Sequence, residues 1–260
     1  MKNERRIIYY EDELNDEFST AQIVPKKIGD DYVYIHTSFV KKFTHFFWYR
    51  IVATPIAFFY LKIKFHHKIV NKKTLNTHKK TGCFMFGNHT QPTGDAVIPT
   101  MITTPNDAYV IVHPNNVSMP YLGRVTPSMG ALPLPDTLKA TRNFNKAIET
   151  RLNENRVVVI YPEAHIWPYY TGIRPFTDKS FYYPVKYKTP TFCFTNTYQK
   201  RKFGSKPKLV TYVDGPFFPK NGLTEQEQRK DLRDQVYNCM KERSKKSTVT
   251  VIEYRRKEQS

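Results

Sequence analysis

The chain has 260 residues, with 41 Lys and Arg against 23 Asp and Glu, for a formal net charge of +18. That length suits one domain of ordinary size with appendages, and 40% apolar residues are enough for its core. Such a charge attracts polyanions (nucleic acid, an anionic membrane surface or an acidic protein) and does not choose among them. The three cysteines, Cys83, Cys193 and Cys239, are odd in number and lack short pair spacing. They read as buried thiols in a reducing compartment, with no disulfide framework.

Residues 1–37 read as an N-terminal extension. It carries an acidic knot, Glu11-Asp12-Glu13 with Asp16 and Glu17, and an alternating run, Tyr32-Val33-Tyr34-Ile35, that fits an edge strand. No chemistry is legible there, and a solvated arm is the expectation. Met1 to Glu17 has no apolar signal-peptide core, so residence on the cytoplasmic side is expected.

Residues 38–65 crowd aromatics together, among them Phe39, Phe43, Phe46, Phe47, Trp48, Phe58 and Phe59. The uninterrupted apolar run, Ile51 to Leu61, is eleven residues long and contains Thr54 and Pro55. A spanning helix needs about 20 apolar residues, so a crossing is not expected. With Lys41, Lys42, Arg50, Lys62 and Lys64 on its flanks, the segment predicts a helical pair lying in a bilayer interface. A helix packed on the domain is the alternative.

His66-His67 and the Lys-rich run to Lys80 read as a strand and a turn. No partner ligands stand at metal spacing, so zinc at His66, His67 and His78 is not expected. Strands are predicted at Cys83 to Phe86, Ala108 to Val112, Val157 to Tyr161, Thr191 to Thr195 and Leu209 to Val213. Another follows the glycine of Gly130-Ala131-Leu132-Pro133-Leu134-Pro135-Asp136. Helices are predicted from Asp95 to about Thr104, from Thr137 to about Asn153, within Ile173 to Tyr187, and from near Thr224. The second carries Leu138, Phe144, Ile148 and Leu152 at helical period, and Thr224 with Glu227 has capping-box spacing. Thr248 to Tyr254 alternates like an edge strand. Strands alternating with helices predict an α/β fold over 66–260, a single layered domain with a mixed, mostly parallel sheet flanked by helices.

Candidate chemistry gathers at Gly87-Asn88-His89-Thr90-Gln91-Pro92-Thr93-Gly94-Asp95. A histidine and a carboxylate sit there between a strand and a helix, where active sites of layered folds collect. A neutral imidazole takes a proton from a hydroxyl near pH 7, and a carboxylate orients the ring and stabilises its charged form. No serine or cysteine lies near to complete a triad, so a base acting on the substrate's own hydroxyl is the simpler reading. A turn histidine with a helix cap is the bland one. A second apolar strand, Val157-Val158-Val159-Ile160-Tyr161, runs into Pro162-Glu163 and then His165.

Together these stretches resemble the glycerolipid acyltransferase family, of the lysophosphatidate (1-acylglycerol-3-phosphate) acyltransferase type. That family carries an Asn-His pair followed by Asp, and later a strand ending in Phe-Pro-Glu-Gly-Thr-Arg. Asn88, His89 and Asp95 match the first motif, and Tyr161, Pro162 and Glu163 the second, over roughly residues 65–215. The resemblance implies acyl transfer from acyl-CoA or acyl carrier protein, with no further cofactor and no metal, to a hydroxyl of a lipid acceptor. His89 would be the general base and Asp95 its orienting acid. Asn88, Pro162 and Glu163 would serve acceptor binding, and backbone N–H groups near Gly87 to Thr90 are candidate oxyanion donors. It further implies a peripheral or monotopic protein on the cytoplasmic side of an anionic membrane, without nucleic acid.

Three departures stand out. Five residues, Thr90 to Gly94, separate His89 from Asp95 where the family usually has four. Ala164, His165 and Ile166 replace the Gly-Thr-Arg, and Asp136-Thr137 stands where the family's second motif ends in arginine. Those arginines are associated with the acceptor's phosphate. Arg174 and Arg142, or Arg124 and Lys139, are the substitutes within the chain. Otherwise the acceptor lacks a phosphomonoester, and His165, Trp167, Tyr169 and Tyr170 suit a sugar or headgroup. A catalytically silent lipid-binding relative, a basic nucleic-acid-binding protein and an ester hydrolase using His89 and Glu163 are the competing readings.

Overall fold

A computed structural model describes residues 6–19, 23–78 and 80–257. The strands are β1 (Arg6–Tyr10), β2 (Lys68–Val70), β3 (Cys83–Gly87), β4 (Ala108–Val112), β5 (Ala131–Pro133), β6 (Val157–Ile160), β7 (Thr191–Gln199), β8 (Lys208–Phe217) and β9 (Ile252–Arg256). The helices are α1 (Phe39–Phe65), α2 (Ile98–Thr103), α3 (Asn115–Ser118), α4 (Leu138–Asn153), α5 (Tyr182–Tyr187) and α6 (Glu225–Ser244). Seven strands form one sheet in the order β2-β8-β7-β3-β6-β4-β5, parallel throughout except where β8 runs antiparallel to β7. The fold is therefore α/β, with a mixed, mostly parallel sheet flanked by helices.

Central strands of such a sheet are covered on both faces and read as unbroken apolar runs. Every residue of β3 and β6 is buried accordingly. One face meets α4 and α6 through Phe84, Phe144, Ile148, Val236 and Met240. The other meets α1 and α2 through Met85, Leu61, Ile102 and Phe194. Caps set the long helices: Thr137 accepts from the Ala140 N–H at the start of α4, and Thr224 with Glu227 closes a full capping box on α6.

The N-terminal residues depart from the expected solvated arm. Tyr32 to Ile35 is irregular backbone, although Tyr34 is buried and its hydroxyl donates to the Pro133 carbonyl at 2.9 Å. The strand lies earlier: β1 pairs in parallel with β9 as a separate two-stranded sheet. Alternation alone could not reveal this, because the partner is at the other end of the chain.

Residues 38–65 form one continuous helix, α1, in place of the expected pair, with a π-helical stretch at Phe47–Ala53. Pro55 lacks an N–H and crowds the turn before it; widening that turn carries the helix past the proline. The helix is 27 residues long, and its most apolar 18-residue stretch has a mean hydropathy of 1.2, enough by length and composition to cross a membrane. Only the stripe Tyr49, Ala57, Leu61 and Phe65 is buried. Tyr49 fixes it, accepting from the Ala108 N–H at 2.7 Å, while Arg50 and His45 meet Asp107. Phe39, Phe43, Ile56, Phe59 and Ile63 stay exposed.

Further boundaries moved, among them that of β7, which runs past the expected Thr195 to Gln199. The helix expected from Asp95 begins only at Ile98, because Asp95 turns inward. Strand β8 runs on through Asp214-Gly215-Pro216 to Phe217, past the expected stop.

Candidate active site

Strands β3, β6 and β7 lie side by side and run parallel, so the loops leaving β3 and β6 emerge at one edge of the sheet. Gly87 ends β3 under the Phe194 ring, where a Cβ would lie 2.1 Å from Phe194 Cζ. Only glycine fits there, and the next two residues, Asn88 and His89, are set by that close approach.

Asn88 is buried and clamps the loop onto β7. Its Oδ1 accepts from the Asn196 N–H at 2.8 Å, and its Nδ2 donates to the Asn196 carbonyl at 3.1 Å. His89 follows, its side chain 24% exposed, with Nδ1 2.8 Å from Asp95 Oδ2. The five intervening residues are absorbed in a compact turn: the Asp95 N–H donates to the Gln91 carbonyl, and the Gln91 N–H donates to Asp95 Oδ2, both at 2.9 Å. Tyr161 stacks on the His89 ring at 4.8 Å between centroids and donates to the Asp95 carbonyl at 2.6 Å.

Behind Asp95 runs a buried chain of hydrogen bonds. Asn196 Nδ2 donates to Asp95 Oδ1 at 3.3 Å, and Thr211 Oγ1 donates to Asn196 Oδ1 at 2.7 Å. His67 Nε2 lies 2.8 Å from Thr211 Oγ1. Thr211 spends its proton on Asn196, so His67 must donate to Thr211. Burial, aided by the charge of Lys62, lowers the His67 pKa to about 4 and keeps that ring neutral. At the near end the carboxylate accepts from His89, so Nδ1 carries the proton and Nε2 keeps its lone pair. Burial pushes the Asp95 pKa above the ordinary carboxylate value, opposed by the bonds from His89 and Gln91.

Glu163 points inward. One oxygen accepts from the His89 N–H and the other from the Arg174 N–H, each at 2.9 Å. Burial raises its pKa against the charge of Arg174. Arg174 has no exposed side-chain surface: it pairs with Glu163 at 3.7 Å and donates to the carbonyls of Glu13, Glu163 and His165. Pro162 is half-buried beside Tyr161. His165 stands at the rim, its Nδ1 2.8 Å from Glu17 Oε2. Arg142 is exposed on α4 and, among the described residues, shares no hydrogen bond or ion pair with this loop.

Asn88, His89, Asp95, Glu163 and Arg174 thus come together, whereas Arg142 does not join them. Of the expected oxyanion donors, the His89 N–H is already engaged by Glu163. Asn196, Thr211 and His67 escaped sequence reasoning. The available signal was Thr195-Asn196-Thr197, a polar run inside a strand buried at all three positions. The acidic knot is likewise part of the neighbourhood: the Asp16 carbonyl accepts from Trp167 Nε1 at 2.8 Å, and Trp167 stacks on Tyr254 of β9.

Cys193, Asp214 and Cys239 bring ligand atoms within 4.8 Å of one another, a proximity their sequence spacing did not foretell. Arg243 donates to both Asp214 oxygens, at 2.9 and 2.6 Å, so that carboxylate is already matched.

No protein-family model matches the chain, and no curated protein matches it in sequence. Among solved structures the fold is similar to the 1-acyl-sn-glycerophosphate (LPA) acyltransferase PlsC from Thermotoga maritima. The TM-score is 0.54 and the identity 18%, over 81% of this chain and 82% of that one. At that identity the likeness is one of fold.

Proposed function

We propose that this chain is a membrane-surface acyltransferase that moves a fatty acyl group from a thioester to a hydroxyl of a glycerolipid-type acceptor. The observation that carries the reading is the His89 Nδ1 to Asp95 Oδ2 pair, held by buried partners at the sheet edge of an α/β fold similar to that of an LPA acyltransferase. His89 Nε2 takes the proton of the acceptor hydroxyl as its oxygen attacks the thioester carbonyl. The carbon–sulfur bond breaks, and the imidazolium returns the proton to the leaving thiolate. The products are an ester and a free thiol, on coenzyme A or acyl carrier protein. Asp95 orients the ring, and Glu163 acts as a positioning residue through the His89 backbone.

On the acceptor side, a lysolipid or glycolipid without a phosphomonoester fits this reading better than 1-acylglycerol-3-phosphate. Arg174 is enclosed, Ile166 stands at the motif's arginine position, and the rim at His165 is shared with the carboxylate of Glu17. An arginine fork is what a phosphomonoester calls for. A peripheral or monotopic position at the cytoplasmic face completes the proposal, supported by the exposed aromatic side of α1.

The test is thioester consumption by purified protein, with acyl-CoA and acyl carrier protein offered in turn against a panel of lysolipids and glycolipids. Products are read by mass spectrometry. A new acylated lipid is expected, lost at least about a hundredfold in His89→Ala and strongly reduced in Asp95→Asn. No product from any pair, with vesicle binding retained, would replace this reading by the silent lipid-binding one.

A further inference from the structure

A cleft of about 630 Å³ opens between α1, β2 and α2; His67 is on its lining, and no residue of the His89–Asp95 loop is. Its apolar wall is Phe58, Phe59, Leu61, Ile69 and Met101. Three lysines, Lys62, Lys68 and Lys72, stand on its lining, and none of the residues that line it is acidic. Lys72 is half-buried, its Nζ donating to the Met101 carbonyl at 2.8 Å. Burial lowers its pKa, so a charged Lys72 gains from an anion placed beside it. From Tyr32 to Gly94 the chain carries ten lysines and arginines and not one acidic residue. Among the described residues, none of Lys62, Lys68 and Lys72 forms an ion pair with a carboxylate.

The open side of the cleft is continuous with the exposed face of α1, where Ile56, Phe59 and Ile63 are 63%, 59% and 72% exposed. Apolar wall, cationic rim and exposed aromatic face together match one ligand shape, a phosphate headgroup with a hydrocarbon tail. Lysines on flexible stems reach headgroup level while their methylenes lie against the chain.

We propose that this cleft is a binding site for a single anionic phospholipid of the bilayer. Its headgroup phosphate is held by Lys62, Lys68 and Lys72, and one tail lies along Phe58, Leu61 and Ile69. The site stands independently of the acyl-transfer reading, because binding alone reveals it. It differs from a diffuse basic surface by having a defined stoichiometry and an apolar requirement.

The experiment titrates the full chain with dihexanoylphosphatidylglycerol below its micelle concentration, with dihexanoylphosphatidylcholine and glycerol 3-phosphate as comparators. Native mass spectrometry gives stoichiometry, and calorimetry gives affinity. The expected result is one anionic lipid per chain, bound more tightly than either comparator and weakened about fivefold for each lysine removed in K62Q, K68Q and K72Q. The matched control K230Q/K241Q/K245Q, on exposed positions of α6 and its C-cap, is expected to bind as wild type does. Equal binding of both lipids, equal loss in the control, or glycerol 3-phosphate binding as tightly as the lipid would each overturn the proposal.

Discussion

At the scale of the residue, His89 owes its form to Asp95 and to groups behind Asp95 that it does not touch. Asp95 fixes its tautomer, and Asp95 is held in turn by Asn196 and through it by Thr211 and His67. Thr211→Val keeps the shape and removes the hydroxyl. It leaves Asn196 Oδ1 and the His67 donor buried without partners, at a cost of about 1–3 kcal/mol each. We expect kcat to fall about tenfold with little change in KM, and Thr211→Ser to restore it. A Thr211→Val enzyme that unfolds earlier yet keeps its kcat would reduce the chain to a purely structural role. Of this site, Asn88, His89 and Asp95 were legible as one local motif and Glu163 as part of a second. Asn196, Thr211 and His67 were not, because hydrogen bonds between strands far apart in sequence leave no spacing to read.

At the scale of the element, the β1–β9 ribbon and the acidic knot act as a strap over the loop that carries Glu163. Trp167 is its rivet: fully buried, it stacks on Tyr254 at 4.8 Å, meets Tyr10 and Phe18, and donates to the Asp16 carbonyl. Arg174 lies over the same ring and reaches the Glu13 carbonyl. Removing such a side chain costs about 3–5 kcal/mol. In Trp167→Ala, amide exchange of Arg6–Tyr10 and Ile252–Arg256 should accelerate far more than that of Val157–Ile160. Uniform acceleration would mean that the strap and the sheet open as one unit. The acidic knot read as solvated because its own residues are polar; it is ordered by its own carboxylates, with Asp16 Oδ2 accepting from the Glu11 and Asp12 N–H groups, and by the Glu13 and Asp16 carbonyls that accept from Arg174 and Trp167.

At the scale of the whole molecule, pH acts through buried groups. The folded pKa of His67 lies at about 4, below its ordinary 6.5. Between those values the unfolded chain takes up a proton that the folded chain refuses, so stability falls as pH drops through that window. The group's full contribution, on the order of 3 kcal/mol, is present above its unfolded pKa. Raised carboxylates such as Asp95 and Glu163 act with the opposite sign, so the comparison must be with a variant. Urea midpoints taken near about pH 7 and about pH 4.5 should drop less in His67→Gln than in wild type. Equal drops would show that His67 is charged in the fold.

The α/β class, most strands and the capped helices α4 and α6 followed from sequence, because hydrophobic period and cap chemistry are local. The His-Asp loop followed as well, since its two partners sit six residues apart. What the tertiary structure alone decided are pairings across the chain. β1 finds β9, Arg174 turns inward to Glu163, and Lys62, Lys68 and Lys72 line one cleft. Each depends on which surfaces the sheet order brings together. A buried charge or strand edge takes the partner nearest in space, and sequence distance does not encode that distance.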